Sequence, residues 1–203
     1  MMNNKRLSTR KIVMIGMMSA VATIIYYLDF GIPALLPSFI KLDFSNVISL
    51  LAGFAMGPLE GVIVCLVKNL VHFVIKGAAT TYGIGEIFDF VTSAFFVLVS
   101  ATIYRRNRTK KGALIATLCG MLAFTAISLP LNYFIVYPIY IKAFGGEAAI
   151  LGAYKAIIPS VKNLFSALCI FNLPFTFVKG LLCSIITVLV YKPLSPIIKG
   201  AGK

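Results

Sequence analysis

The sequence predicts an all-α, polytopic integral membrane protein with six transmembrane helices, forming one membrane domain over residues 1–203. Three observations predict it. Hydrophobic residues make up 60% of the chain and charged residues only 12%, about half the share usual in soluble domains. Mean hydropathy is +0.97, so lipid must be the main solvent and backbone polar groups must be satisfied within helices. The basic residues gather at the ends of apolar runs, the pattern of loops retained on the cytoplasmic side. A net charge of +13 would suggest nucleic acid in a soluble protein. Here no basic face exists outside those clusters, which excludes that partner.

Lys5, Arg6, Arg10 and Lys11 precede the first apolar run, about 12–28. Ala20-Val21-Ala22 resembles a signal-peptidase site, but the run continues through Ile24 to Tyr27, so a first membrane helix is expected. Gly16 and Ala20 are four apart and share a helix face. They suit close approach of another helix, inside this bundle or in a partner. Residues 29–43 form a loop with Gly31, Pro33 and Pro37. The apolar run 44–56 is too short to cross upright alone and reads as a short or irregular span. Gly57-Pro58 makes a tight turn.

The third span is 59–75, followed by a polar loop at 77–85. The fourth is 86–104, ending in Arg105, Arg106, Arg108, Lys110 and Lys111. The fifth is 112–137, with a bend expected at Pro130. Residues 138–160 form a longer loop, in which 147–158 can make a short surface helix. The last span, 163–191, is expected to distort near Pro174, and Lys192, Lys199 and Lys203 close the chain. The three basic clusters hold 12 of the 19 basic residues. They are separated by four and then two spans, so all lie on one side. The N-terminus (about 1–11) and the C-terminus (about 192–203) are therefore expected in the cytoplasm of a plasma-membrane protein.

Polar groups inside a membrane are costly and face the bundle interior or a cavity. Glu86 and Asp89 share a face at the outer end of the fourth span. Asn132 sits in the outer half of the fifth. Asn172, Thr176 and Lys179, spaced by four and three, make one polar stripe on the last. Lys179, embedded in Phe175-Thr176-Phe177-Val178-Lys179-Gly180-Leu181, lies beyond snorkelling reach. It needs either Glu86 or Asp89 as a structural partner, or a ligand acceptor. Lys68, Asn69 and His72 read as polar groups that fix helix contacts.

The cysteines, Cys65, Cys119, Cys169 and Cys183, lie apart in apolar runs. With a single His, neither a metal site nor a disulfide framework is expected. No catalytic constellation appears, so the chain is not expected to be an enzyme. Amide, hydroxyl, amine and acids suit recognition of a polar small molecule. Phe88, Phe90, Tyr133, Phe171 and Phe175 could sandwich a flat ring.

These residues resemble a known family. Lys41-Leu42-Asp43-Phe44-Ser45-Asn46-Val47, Gly57-Pro58-Leu59-Glu60-Gly61, Val67-Lys68-Asn69-Leu70-Val71-His72-Phe73 and Gly83-Ile84-Gly85-Glu86-Ile87-Phe88-Asp89-Phe90 are similar, in order, to segments of riboflavin-specific substrate-binding subunits of energy-coupling factor transporters. So are Leu131-Asn132-Tyr133-Phe134 and the segment from Asn172 to Gly180.

The resemblance implies a six-helix subunit that binds riboflavin from outside, as cargo and with no cofactor. It also implies docking on a transmembrane coupling protein with two ATPases, through a face that maps to Gly16 and Ala20. The implied ligand contacts are Leu42, Asp43, Glu86, Asp89, Asn132 and Lys179. Thr176 stands where relatives often carry Asn, and Asn172, one turn earlier, could take that role together with Thr176. The acids suit the ribityl hydroxyls and are expected to repel a phosphate. The alternative within this class is a subunit for another vitamin or flat heterocycle.

Overall fold

The computed structural model describes residues 9–76 and 83–200, with side chains through residue 191. Most of the polar loop expected at 77–85 therefore lies outside the described residues. Among the described residues, five stretches are long and apolar enough to cross a membrane: Thr9–Tyr27, Pro58–Lys76, Ile84–Arg106, Lys110–Ala143 and Leu164–Tyr191. The first, α1, gives way at Tyr27 to a chain segment that pairs two short strands, β1 (Phe30–Gly31) and β2 (Lys41–Leu42), antiparallel. Helix α2 (Ser45–Met56) follows. Its 12 residues span only about 18 Å, against about 30 Å of hydrocarbon. The sixth expected span is thus a short helix that starts inside the bundle.

Gly57, at φ 137°, turns the chain sharply into α3 (Pro58–Lys76). Pro58 suits the first helical position because its missing N–H would have no partner there. A Cβ on Gly61 would lie 2.8 Å from the Gly53 Cα. Only glycine lets α2 and α3 approach so closely. Helix α4 (Ile84–Arg106) and α5 (Lys110–Leu131) complete the tightest pairing. Thr109 caps α5 by accepting from the Gly112 N–H at 3.0 Å.

Two π-helical segments interrupt the last two long runs. Asn132–Val136 joins α5 to α6 (Tyr137–Ala143), and Leu168–Asn172 joins α8 (Leu164–Ala167) to α9 (Leu173–Gly200). Each ends two residues before a proline, Pro138 or Pro174. A proline lacks the N–H of an α-helical bond and clashes with the carbonyl four residues earlier. Those carbonyls belong to Phe134 and Ile170, in the middle of each π segment. The distortion expected at Pro174 is present there. The one expected at Pro130 instead occupies Asn132–Val136, ahead of Pro138, and Pro130 lies within α5. Helix α7 (Glu147–Lys155) lies where a surface helix was expected, but it buries Ile150 and Tyr154 against the bundle.

Lys11 meets Glu60 at 2.8 Å, while the Tyr27 hydroxyl donates to the His72 carbonyl. Helices α1 and α3 therefore run parallel, with α2 antiparallel between them. The bundle has a basic end, carrying Arg105 to Lys111, and a loop end, carrying residues 28–44 and α7. Apolar packing of α1–α5 and α9 fills the basic half, including Phe54 stacked on Tyr104. The loop half is where polar groups concentrate.

Candidate ligand-binding cavity

A cavity of about 560 Å³ lies in the loop half, within the size range of small-molecule sites. One wall is polar and closed on itself. Lys68, on α3, is fully buried. Its ammonium meets Asp89 Oδ2 at 2.9 Å and donates to Ser45 Oγ at 2.6 Å and Asn46 Oδ1 at 2.9 Å. Asn69 donates to Asp89 Oδ2 at 3.1 Å, and Ser93 donates to Asn46 Oδ1. Ser45 donates twice to Asp43 Oδ1, from its N–H at 2.9 Å and its hydroxyl at 2.5 Å. The Lys179 ammonium closes the circuit, 2.6 Å from Asp43 Oδ2 and 3.7 Å from Asp89 Oδ1. Two lysines and two aspartates thus bury no net charge, the condition under which ions are tolerated in an apolar interior.

The opposite wall comes from the two π segments. Asn132 opens the first and Asn172 closes the second, so both amides lie where the helix is already loosened, as π bulges often are at functional sites. Asn132 is 4% exposed, and its amide has no hydrogen-bond partner among the described residues. Asn172 is spoken for: its amide N–H donates to the Tyr137 hydroxyl at 2.9 Å, and the Tyr154 hydroxyl donates to its carbonyl at 2.7 Å. The two tyrosine hydroxyls bond each other and close the ring. Thr176 donates to the Asn172 backbone carbonyl at 2.8 Å. Between these walls lie the rings of Phe88, Phe124, Tyr140 and Phe175.

The mouth is charged. Asp29 bridges Lys41 at 3.1 Å and Lys76 at 3.4 Å, and His72 Nδ1 lies 3.0 Å from Glu86 Oε1. Phe39, from the loop before β2, packs against Tyr137, Tyr140, Phe144 and Tyr154. The residues before α2 therefore lie across the cavity as a cover.

Seven residues singled out in the sequence line this cavity: Asp43, Glu86, Asp89, Asn132, Asn172, Thr176 and Lys179. Leu42 does not; it is buried in β2, paired with Phe30. Lys179 pairs first with Asp43, then Asp89, while Glu86 turns to His72. Of the expected aromatic sandwich, Phe88 and Phe175 reach the cavity. Phe90 packs in the apolar core, Phe171 packs on Tyr154, and Tyr133 lines a separate groove with Phe134 and Phe165. Sequence reasoning missed Tyr26, Phe39, Lys76 and Tyr137 as lining residues. His72 alone carried a signal, as a histidine one turn beyond Lys68. Gly16 and Ala20 are exposed on α1, and a Cβ at Gly16 would meet nothing within 4 Å. The four cysteines are free, and no metal-binding cluster occurs among the described residues.

Residues 10–191 match the family model described as ECF transporter, substrate-specific component. Riboflavin transporter RibU of Staphylococcus aureus (strain TCH60) is 35% identical over 98% of this chain and 95% of its own. Riboflavin transporter FmnP of Bacillus subtilis (strain 168) is 28% identical over 94% of each. A solved structure, reported as the S component of a bacterial ECF transporter, superimposes with a TM-score of 0.72 at 30% identity, covering 95% of this chain and 99% of that one. With a membrane bundle, a polar cavity under a loop cover and a match along nearly its whole length, this chain belongs to the substrate-specific components of ECF transporters.

Proposed function

We propose that the chain binds riboflavin in this cavity, at the outer face of the cell membrane, and delivers it to an ATP-driven energy-coupling module. One observation carries the reading: the side-chain amide of Asn132, with no hydrogen-bond partner among the described residues, lines a cavity that also holds aromatic rings. A ligand that takes its donor and its acceptor gains about 0.5–1.5 kcal/mol for each hydrogen bond. The isoalloxazine ring is flat, with an imide edge of alternating carbonyls and N–H. An amide matches that edge with one donor and one acceptor. The Lys179 ammonium has three donors, one spent on Asp43, so it can also donate to a ring carbonyl. Phe88 and Phe175 flank the apolar part of the ring. His72, Glu86 and Lys76 at the mouth suit the ribityl hydroxyls. Asp89, whose Oδ2 is held by Lys68 and Asn69, supports the wall.

The basic end faces the cytoplasm in this reading, with both termini. The sixth crossing is made by α2 together with residues 28–44. The module comprises a transmembrane coupling protein and two ATPases, and the exposed Gly16 and Ala20 face of α1 is its docking surface. The chain performs no catalysis, and riboflavin is cargo. Titration of the detergent-purified chain should show tight, one-to-one riboflavin binding, visible as a flavin absorbance spectrum in the purified protein. Absence of binding, or stronger binding of a different vitamin or heterocycle, rejects it.

A further inference from the structure

Lys68 is fully buried and takes no part in lining the cavity, yet it sits in the ion circuit that holds Lys179. Three acceptors surround its ammonium: Asp89 Oδ2 at 2.9 Å, Ser45 Oγ at 2.6 Å and Asn46 Oδ1 at 2.9 Å. Its three donors are therefore all used. Asp89 lies between the two lysines, closer to Lys68 than to Lys179, which stays 3.7 Å away. Lys179 is thus hydrogen-bonded to a single carboxylate, Asp43, at 2.6 Å.

We propose that Lys68 is a positioning residue: by neutralising Asp89 through its Oδ2, it leaves the Lys179 ammonium free to donate to a carbonyl of the bound ring. The inference rests on the riboflavin reading above. Without Lys68, Asp89 would keep a full charge in an apolar interior with one cation in reach. It would draw Lys179 into a bridge between two carboxylates. The ammonium would lose donors to the protein, and the cavity would gain a negative charge. Ser45, which donates to Asp43 and accepts from Lys68, would also lose its cation. That would loosen the chain just before α2, where the cover begins.

The idea predicts rescue by charge removal, which a merely structural lysine does not. Riboflavin affinity is measured in detergent for the parent, for Lys68→Met and for the double variant Lys68→Met, Asp89→Asn. The single variant should bind about ten- to a hundredfold more weakly, the scale of a lost charged hydrogen bond. The double variant, which buries no extra charge, should recover to within about tenfold of the parent. Unchanged affinity in the single variant overturns the proposal, as does a double variant no better than the single. If Lys68→Met does not fold, the double variant decides alone: folded but more than about a hundredfold weaker than the parent, it overturns the proposal. A parent that binds no riboflavin rejects the functional reading instead, and so the two failures are told apart.

Discussion

The two walls of the cavity are built from the same kinds of residue and differ in what they have left to offer. On the α2–α3–α4 wall, Lys68, Asn69, Asp89, Asn46 and Ser45 bond mainly to one another. On the π-segment wall, the Asn132 side chain has no hydrogen-bond partner among the described residues, and Lys179, on the helix that follows, is hydrogen-bonded to a single carboxylate. Both walls are polar and both are buried, so burial alone does not mark a binding residue. What differs is hydrogen-bonding capacity left open toward the cavity. On the proposal above, the first wall serves the fold and the second the ligand.

Removing a member of the spent wall should damage the fold most. Asp89→Ala leaves Lys68 buried without its counter-ion, which costs about 3–5 kcal/mol. Thermal unfolding of the detergent-solubilised variant should show a large loss of stability with or without riboflavin; a stability equal to the parent's would erase the distinction between the walls. Lys179→Met comes next. Asp43 keeps its two bonds from Ser45, so the variant should insert and fold while riboflavin affinity falls about ten- to a hundredfold, or about 1.5–3 kcal/mol. Unchanged affinity would make Lys179 a purely structural ion.

Asn132→Leu is the cleanest probe of unspent capacity. It removes a polar side chain with no partner among the described residues, so stability without ligand should hold or rise. Affinity should drop about tenfold, the worth of about one such hydrogen bond. A loss of stability without ligand would reveal a hidden structural role. The smallest effect on binding is expected on α1. Gly16→Leu should leave riboflavin affinity within about twofold of the parent, because the position faces away from the bundle and open space surrounds it. ATP-driven uptake in cells that supply the coupling module should nevertheless be lost. Equal loss of binding and uptake would place Gly16 in internal packing.

Local signals in the sequence led to residues that line the cavity but not to their partners. Lys179 stood out because its neighbours are apolar, and the Gly57-Pro58 turn because glycine tolerates a positive φ and proline fixes its own. The partner of Lys179 is Asp43, 136 residues away, and no local pattern links them. His72 has no carboxylate in its own helical turn; Glu86 reaches it from the next helix. The expectation that the acids repel a phosphate treated them as free charges. In the fold Asp43 and Asp89 each face a lysine, and Glu86 lies beside His72, so these acids are paired, a feature that no local pattern in the sequence displays. Tyr137 and Tyr154 were invisible as a pair because aromatic residues are common near membrane surfaces. Only the packing of α7 onto α6 makes them neighbours.

The paired π segments carry a consequence for how such sequences are compared. A π turn holds one residue more than the α turn it replaces, with little added length. Residues 132–136 therefore contain a one-residue surplus that the helix absorbs by bulging. Deleting a single residue between 133 and 135 would remove that surplus while the flanking helices kept nearly their present facing, because the bulge and not the helix beyond it takes up the extra residue. What would change is the loosened backbone beside Asn132. A one-position gap at 133–135 or 169–171 in a relative thus signals a changed cavity wall, whereas the same gap within 144–146 signals only a shorter turn.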